Sequence, residues 1–231
     1  PGATYHYRIV AVNSEGTDYG DDVVFTLSGC ERIDYTTTSE GGTYTDLEIN
    51  GTVISTADFD DANSAPYDIG FTFNYNCQDF TQFILNTNGF IKLGAAPPSS
   101  ASLFYSGTNT HDGVFSSQDP ADINILAPFT YDLTAGTLAS EYRVYTTGTA
   151  PDRICTIQFK NLSDKPTTST TQYENISFQI KLYETSNIIE FVYGTWEPSA
   201  NPSSAKSAEC GLKGSAPAND HLITVSKSSV S

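Results

Sequence analysis

The chain has 231 residues, with 27 acidic against 11 basic side chains and a formal net charge of −16 at pH 7. An electrostatic field of that sign repels nucleic acid and anionic lipid, so we expect neither as a partner. No apolar run reaches the roughly 20 residues that cross a bilayer, which argues against membrane insertion. The 14 Tyr and 13 Phe exceed what a disordered chain carries and are typical of sheet faces, where aromatic side chains pack across strands.

The beginning of the chain predicts two β-strands. Apolar residues alternate with polar ones over residues 5–12, and residues 23–27 predict a second strand after a turn region over residues 13–20. A two-stranded hairpin is marginal by itself. The chain opens in the middle of this pattern without a signal peptide, so we expect a piece of a longer secreted protein. We assign residues 1–28 to this partial unit and residues 29–231 to a second domain.

The clearest strand signal lies in residues 69–94. Aromatic residues alternate with polar ones over residues 71–75, as in a strand with one buried face. Asn88-Gly89 then predicts a tight turn, because both residues tolerate positive φ. These residues therefore predict the start of an antiparallel sheet.

Further strands follow, separated by turn signals, and no segment shows the 3.6-residue period of a helix. They are expected over residues 123–133, 141–146, 154–160, 176–184, 188–194, 210–212 and 222–225. The segment 95–121 is rich in Pro, Ser, Gly and Asn, and its length suggests a functional loop or short strands within it. The pattern predicts an all-β fold, an antiparallel β-sandwich of jelly-roll-like or Ig-like type preceded by the partial hairpin.

Residues 1–28 resemble the last two strands of a fibronectin type III module. The phrase of that family is Pro-Gly-x-x-Tyr-x-Tyr-Arg-Val-x-Ala-x-Asn, and the matching residues are Pro1, Gly2, Thr4, Tyr5, Tyr7, Arg8, Ala11 and Asn13. The resemblance implies that Tyr5 is the tyrosine-corner residue, whose hydroxyl bonds to the backbone. It also implies that the other strands of the module lie outside this piece, or that the hairpin packs on the next domain or on another chain.

The order of phrases over about residues 30–226 resembles a nidogen-like extracellular domain. The phrases are Phe71-x-Phe73-x-Tyr75, Asn86-Thr87-Asn88-Gly89-Phe90-Ile91, Ala127-Pro128-Phe129-x-x-Asp132-Leu133, Phe178-Gln179-x-x-Leu182-Tyr183-Glu184 and Ile188-x-Glu190-Phe191-x-Tyr193-Gly194. That family usually has Trp after Ala-Pro-Phe, where this chain has Thr130. The combination is also similar to β-domains in large secreted proteins of Bacteroidetes-type bacteria. The resemblance implies matrix or adhesive work and brings no catalytic residues.

No pattern in the sequence predicts a catalytic site. His6, His111 and His221 lie in no nucleophile elbow or zinc-protease helix, and we expect them to be exposed. Glu184 and Glu190 could pair as in a glycosidase, but solvated, outward-facing charge is the default for carboxylates on hairpin strands. We therefore predict no enzyme activity.

An acidic loop is the candidate metal site. Asp58, Asp60 and Asp61 could supply several oxygen ligands to Ca²⁺. Further carboxylates that could complete this site or form another are Asp119, Asp122 and Asp132. The loop lacks the glycine and the terminal glutamate of an EF-hand. We expect no required cofactor. The loop either binds a structural Ca²⁺ or is a plain acidic loop.

Four widely spaced cysteines, without a Cys-x-x-Cys pair, argue against zinc and redox motifs. In an acidic chain rich in Thr and Ser they fit an oxidising compartment and two disulfides. Three pairings are open, and we favour Cys30–Cys210 with Cys77–Cys155.

Carbohydrate binding requires flat aromatic rings and amides on one surface. The candidates near the long segment 95–121 are Tyr105, Tyr131, Tyr193, Trp196 and Asn201. Trp196 stands in an irregular stretch and is the best candidate for an exposed platform. The alternative is that it caps the sandwich.

These features predict a secreted, non-catalytic adhesion or matrix module of a larger extracellular or cell-surface protein, with a glycan or a protein as its partner. The alternative is a structural subunit of an extracellular filament, in which copies of the chain complete one another's hairpins by strand addition. A third hypothesis is an accessory domain of a secreted hydrolase.

Overall fold

The structure is a computed structural model that describes residues 3–14, 16–27, 33, 35–105, 113–166, 171–200, 202, 206–217 and 221–229. These residues form seventeen β-strands and no α-helix. The strands are β1 (Ala3–Tyr7), β2 (Val10–Asn13), β3 (Gly16–Tyr19), β4 (Val23–Leu27), β5 (Thr52–Val53), β6 (Tyr67–Tyr75), β7 (Gln78–Asn86), β8 (Phe90–Leu93), β9 (Ile125–Thr130), β10 (Leu133–Ala135), β11 (Glu141–Thr147), β12 (Ile154–Asp164), β13 (Tyr173–Tyr183), β14 (Ile189–Tyr193), β15 (Glu197–Pro198), β16 (Lys206–Lys213) and β17 (Leu222–Ser229). In this part of the chain, no helix has the length and apolar character to cross a membrane.

Two antiparallel sheets enclose a common core. The front sheet has the order β14-β13-β12-β11-β5, with β10 beside β12 and β15 beside β13. The back sheet has the order β17-β16-β9-β8-β7-β6. One buried apolar cluster draws residues from both sheets. The predicted all-β antiparallel sandwich is therefore confirmed.

The period-two alternation of the strands decides which residues enter the core. In the front sheet, Tyr142, Phe159 and Phe178 lie in register on three neighbouring strands and are buried. The rings of Phe159 and Phe178 stack with their centroids 4.7 Å apart. From the back sheet, Phe73 and Phe83 enter the same cluster and are fully buried. Cross-strand aromatic pairs of this kind are a main source of sheet stability.

The hairpin predicted in residues 69–94 is present as β6, β7 and β8 of the back sheet. Its second turn contains Asn88-Gly89, where Gly89 has a φ of 88°. A Cβ atom at Gly89 would lie 1.8 Å from the carbonyl oxygen of Phe129. Only glycine therefore fits at this position, both for its backbone conformation and for space.

The long segment 95–121 covers the outer face of the back sheet. Its described residues, 95–105 and 113–121, form no strand, so the expectation of short strands within it finds no support in that part. Val114 and Phe115 instead form a second, smaller apolar cluster with buried residues of the back sheet, Phe90, Ile125 and Ala127. The segment thus buries a sheet face that would otherwise be exposed.

The chain begins with two nested antiparallel ladders. β1 pairs with β4, β2 pairs with β3, and the Gly20 N–H donates to the Ile9 carbonyl at 2.8 Å where the ladders meet. The expectation of a turn throughout residues 13–20 is wrong at β3, because Gly-Thr-Asp-Tyr pairs with β2 despite its lack of apolar alternation. Ile9 and Val12 are 76% and 72% exposed. The described part of the sandwich therefore leaves this hairpin largely uncovered.

The cysteines do not pair as expected. Cys155 and Cys210 carry free thiols, so the predicted pairs Cys30–Cys210 and Cys77–Cys155 are both wrong. Cys155 is buried in the core from the front sheet, whereas Cys210 belongs to β16 of the back sheet. Cys77 is disulfide-bonded, and Cys30 lies outside the described residues. Spacing along the chain carries no information on which sheet a cysteine joins, so it could not select the pairing.

Candidate functional site

The Asn86–Asn88 turn between β7 and β8 is a fully buried polar segment. The Asn86 amide donates to the Asn63 side-chain oxygen at 2.7 Å and to the Ala101 carbonyl at 2.9 Å. The Asn88 side-chain oxygen accepts the Leu133 N–H at 3.0 Å. Because buried polar groups are costly without partners, these bonds fix three separate loop segments against the turn.

Three carboxylates converge beside this turn. Oxygen atoms of Asp60, Asp61 and Asp132 all lie within 4.8 Å of one another. The Asn88 amide donates to Asp61 Oδ1 at 2.9 Å, and the Thr87 hydroxyl donates to the Asp60 carbonyl. Asp132 lies in the short connection between β9 and β10. The structure thus brings together three of the six carboxylates that the sequence suggested for metal binding.

The other candidate carboxylates lie apart from this cluster. Asp58 accepts the Asp60 N–H at 3.0 Å through its side chain and stands outside the group of converging oxygens. Asp122 is fully buried under the long segment. It accepts the Ser99 N–H and hydroxyl, each at 2.7 Å, and the Ser117 hydroxyl at 2.5 Å. Asp122 therefore holds the two described ends of the long segment together.

A lysine already neutralises part of the acidic cluster. Lys165 Nζ lies 2.7 Å from the Asp60 carboxylate and 3.9 Å from that of Asp132. The hydrogen bond to Asp60 raises the pKa of Lys165, so the ammonium stays charged at neutral pH. A divalent cation would compete with this ammonium, and Ca²⁺ would need other oxygens besides the three carboxylates to reach its usual about 6–8 ligands.

The two carboxylates weighed as a glycosidase pair are engaged in strand-to-strand bonds. The Glu184 carboxylate accepts hydrogen bonds from Arg153 Nε at 2.7 Å and from Arg153 Nη2 at 2.5 Å. This hydrogen bonding lowers the pKa of Glu184. Glu190 accepts the Tyr183 hydroxyl at 2.6 Å and lies 3.5 Å from Lys181 Nζ. A glycosidase acid needs a raised pKa, so the environment of Glu184 opposes that role.

The histidines are not brought together. His6 is exposed, with its Nδ1 2.7 Å from Asp22. His221 is only 8% exposed, so the expectation of an exposed side chain is wrong there. Its carbonyl accepts the Gly214 N–H at 2.8 Å at the end of the β16–β17 ladder, which carries it into the fold. His111 lies outside the described residues.

The predicted aromatic platform is partly assembled, but as packing. The half-buried Trp196 meets three rings edge-on, those of Phe129 at 4.9 Å, Tyr173 at 5.2 Å and Tyr193 at 5.9 Å. In the described part of the chain, no ring contact joins Tyr105 to this group, and Asn201 lies outside the described residues. The arrangement of Trp196 corresponds to the alternative, in which it caps the sandwich.

The outer face of the front sheet carries an open polar groove that the sequence reasoning missed. Its volume is about 250 Å³. Tyr145, Thr156 and Lys181 lie in register on β11, β12 and β13 and form its floor. One wall is the strap, our name for residues 44–50, which cross the sheet there. The alternation along these strands indicates which residues face outward. It does not indicate which of those residues become neighbours, because that depends on the order of the strands in the sheet.

Comparison with known proteins gives one finding. The model of a family described as NIDO related matches residues 34–231, which is most of the chain and all of the sandwich. No curated protein and no solved structure matches the chain significantly. The nidogen-like resemblance inferred from the order of phrases is thereby supported, and the chain belongs to the NIDO-related family.

Proposed function

We propose that this chain is a non-catalytic adhesion or matrix module of a secreted protein, which binds glycan or protein surfaces. The observation that carries the proposal is that charged side chains on the front sheet are engaged in ion pairs and hydrogen bonds with one another. Glu184 and Glu190 pair with cations and a hydroxyl of the adjacent strands, and Arg143 pairs with Glu141. Charges paired in this way stabilise the strands and are not poised for proton transfer. The surface between them is therefore available for recognition.

The experiment that tests the proposal is a binding screen of the purified chain against immobilised glycans and extracellular matrix proteins. We expect saturable binding to at least one of them, with the ligand recovered chemically intact. The absence of any binding at millimolar glycan and micromolar protein concentrations would contradict the proposal.

We propose further that β1 to β4 are the last strands of a fibronectin type III module. The support is the register of the outer ladder, which pairs Tyr5 with Phe25 and Tyr7 with Val23, together with the exposure of Ile9 and Val12. This assignment is tested with a longer recombinant protein, which adds the residues that the natural gene encodes before Pro1. Amide hydrogens of β1 should exchange at least tenfold more slowly in the extended chain, and an unchanged rate would refute the assignment.

A filament subunit is the second candidate function, favoured by the same exposed apolar side chains on the hairpin. Exposed strands of this kind invite pairing with another copy of the chain. Light scattering distinguishes the two functions, because a filament subunit forms large regular assemblies as concentration rises. A monomer at all concentrations would exclude the filament and leave the binding module.

Divalent-cation binding by Asp60, Asp61 and Asp132 is a separate proposal. Its support is the convergence of the three carboxylates beside a rigid buried turn. The Lys165 ammonium between Asp60 and Asp132 means that the fold does not require an ion. We therefore propose that Ca²⁺, when bound, adds stability to this region and is not required for folding.

A further inference from the structure

The groove on the front sheet is built on a rigid polar base. Gln158 and Gln179 lie under the strap, fully buried, and Gln179 Nε2 donates to Gln158 Oε1 at 2.8 Å and to the Thr45 carbonyl at 2.7 Å. Gln158 Oε1 accepts the Leu47 N–H at 3.0 Å. These bonds tie the strap to two central strands, because both amides are satisfied only with the strap in place.

The ends of the strap are also held. Gln158 Nε2 donates to Asp46 Oδ1 at 3.0 Å, and Lys160 forms an ion pair with the same carboxylate. At the other end, Arg143 Nη1 reaches the Asn50 carbonyl at 3.4 Å, while Glu141 holds the guanidinium from the opposite side. The wall of the groove is therefore fixed before any ligand arrives, which lowers the entropy cost of binding.

The groove offers the chemical groups that a sugar ring needs. Tyr145 presents a half-buried aromatic ring, and the lining threonines, Thr45, Thr147 and Thr156, present hydroxyls beside it. Asp46 and Asn50 add a carboxylate and an amide on the wall. An aromatic ring packs against the C–H face of a pyranose, and the polar groups exchange hydrogen bonds with its hydroxyls.

The charge and size of the groove narrow the class of ligand. It holds one carboxylate, Asp46, and one ammonium, Lys181, so it is locally close to neutral. The protein as a whole carries −16, which repels uronates and sulfated sugars. The volume of about 250 Å³ is slightly below the lower bound of about 300 Å³ for typical ligand sites, so the groove has room for no more than a single sugar ring.

We propose that this groove binds one hexose unit of a neutral glycan. The proposal rests on the proposed function, because it names the site and ligand class of that binding module. Tyr145 is the ring that stacks on the sugar, and the strap supplies the polar groups that fix the orientation of the sugar. The site is distinct from the Trp196 cluster, whose rings pack against one another.

The test is a microarray of neutral, uronate-bearing and sulfated oligosaccharides, followed by calorimetric titration with the best neutral glycan. We expect Tyr145→Ala to weaken that binding about tenfold, and Tyr145→Phe to leave it within about threefold. The matched control is Tyr7→Ala, which removes an exposed tyrosine from the hairpin, far along the chain from the groove, and should not alter affinity. Circular dichroism and Tm establish that each variant is folded.

Each other outcome has a definite meaning. Neutral-glycan binding that survives Tyr145→Ala would overturn the groove and leave the binding module standing. Binding of charged glycans alone would overturn the ligand class. Binding of a matrix protein or an extended peptide, without any glycan, would overturn the glycan proposal and keep the proposed function. Binding of neither glycan nor protein would overturn both.

Discussion

At the scale of single residues, Lys213 shows how the fold holds its long covering segment. Its side chain is fully buried, and Nζ donates to the carbonyls of Val114 at 2.8 Å and Ser117 at 2.7 Å. Burial lowers the pKa of Lys213 to about 8, with Asp122 and Asp119 opposing the shift. Burying the charged amine therefore lowers the free energy of unfolding at neutral pH.

This lowered pKa predicts a specific pH dependence of stability. The unfolded lysine has a pKa near 10.5, so between about pH 8 and pH 10.5 the unfolded state binds more protons than the folded state. Stability attributable to Lys213 therefore rises with pH in that window and falls as pH drops towards 8. We expect the free energy of unfolding of the wild type, measured with urea and compared with that of Lys213→Met, to rise by about 2 kcal/mol between pH 7.5 and 9.5.

Comparison with Lys213→Met removes the contribution of other titrating groups, such as the buried tyrosines, since both proteins share them. A difference between the two proteins that stays constant from pH 7.5 to 9.5 would show that Lys213 has an ordinary pKa in the folded state.

Gly89 supplies a second prediction at the residue scale. A Cβ atom at this position would lie 1.8 Å from the Phe129 carbonyl oxygen, and the φ of 88° disfavours side chains. We expect Gly89→Ala to lower the free energy of unfolding by about 3 kcal/mol or more. Gly42→Ala is the matched control, because a Cβ there has no atom within 4 Å; it should change stability by less than about 0.5 kcal/mol. Equal effects of the two substitutions would contradict the geometry of the turn.

Lys165 provides the third prediction. Lys165→Gln leaves Asp60, Asp61 and Asp132 without this ammonium, so we expect a loss of about 1 kcal/mol or less in EDTA, since the pair is partly exposed. Millimolar Ca²⁺ should restore part of that loss and raise the Tm of Lys165→Gln more than that of the wild type.

The control for this experiment is Lys160→Gln, which removes a lysine paired with Asp46 alone. An equal Tm response to Ca²⁺ in all three proteins would place any calcium effect elsewhere on the acidic surface.

At the scale of the elements, sequence reasoning worked where a signal is local. The alternation in β6, β11, β12 and β13 identified these strands, because side-chain period reports directly on a half-buried sheet. It failed at β3, whose Gly-Thr-Asp-Tyr has no apolar alternation and is held by its ladder to β2. It also failed for the groove and the cysteines, because both depend on which strands become neighbours. All three members of the acidic cluster were among the candidate carboxylates, but the sequence could not select Asp132 over Asp119 and Asp122, because that choice depends on the fold around the Asn86–Asn88 turn.

The placement of the cysteines on different sheets gives the fourth prediction. Cys155 is fully buried, and burial raises its pKa to about 12, whereas Cys210 is only partly buried and bonds to the Tyr193 hydroxyl at 3.4 Å. In the native protein, Ellman's reagent should therefore modify Cys210 faster than Cys155.

In the denatured, unreduced protein, alkylation followed by peptide mapping should label Cys155 and Cys210 and leave Cys77 unlabelled; the same map identifies the disulfide partner of Cys77. Recovery of a Cys77–Cys155 peptide would contradict the structure.

At the scale of the whole molecule, two covered sheets leave a limited set of surfaces for function. The long segment packs on the outer face of the back sheet, and the strap crosses the outer face of the front sheet. Among the described residues, the open surfaces include the groove beside the strap and the exposed hairpin of β1 to β4. The strongly negative charge of the chain keeps such a module soluble and excludes polyanions from these surfaces. These features are consistent with the proposed binding module for neutral or basic partners.

One mass-spectrometric measurement tests whether the protein binds sugars without cleaving them. The purified chain is incubated for a day with a panel of neutral oligosaccharides, and the bound and free fractions are analysed for intact and cleaved sugars. We predict that ligand is retained on the protein and remains uncleaved. Cleavage products that disappear in Glu184→Gln or Glu190→Gln would contradict it and identify the protein as a hydrolase.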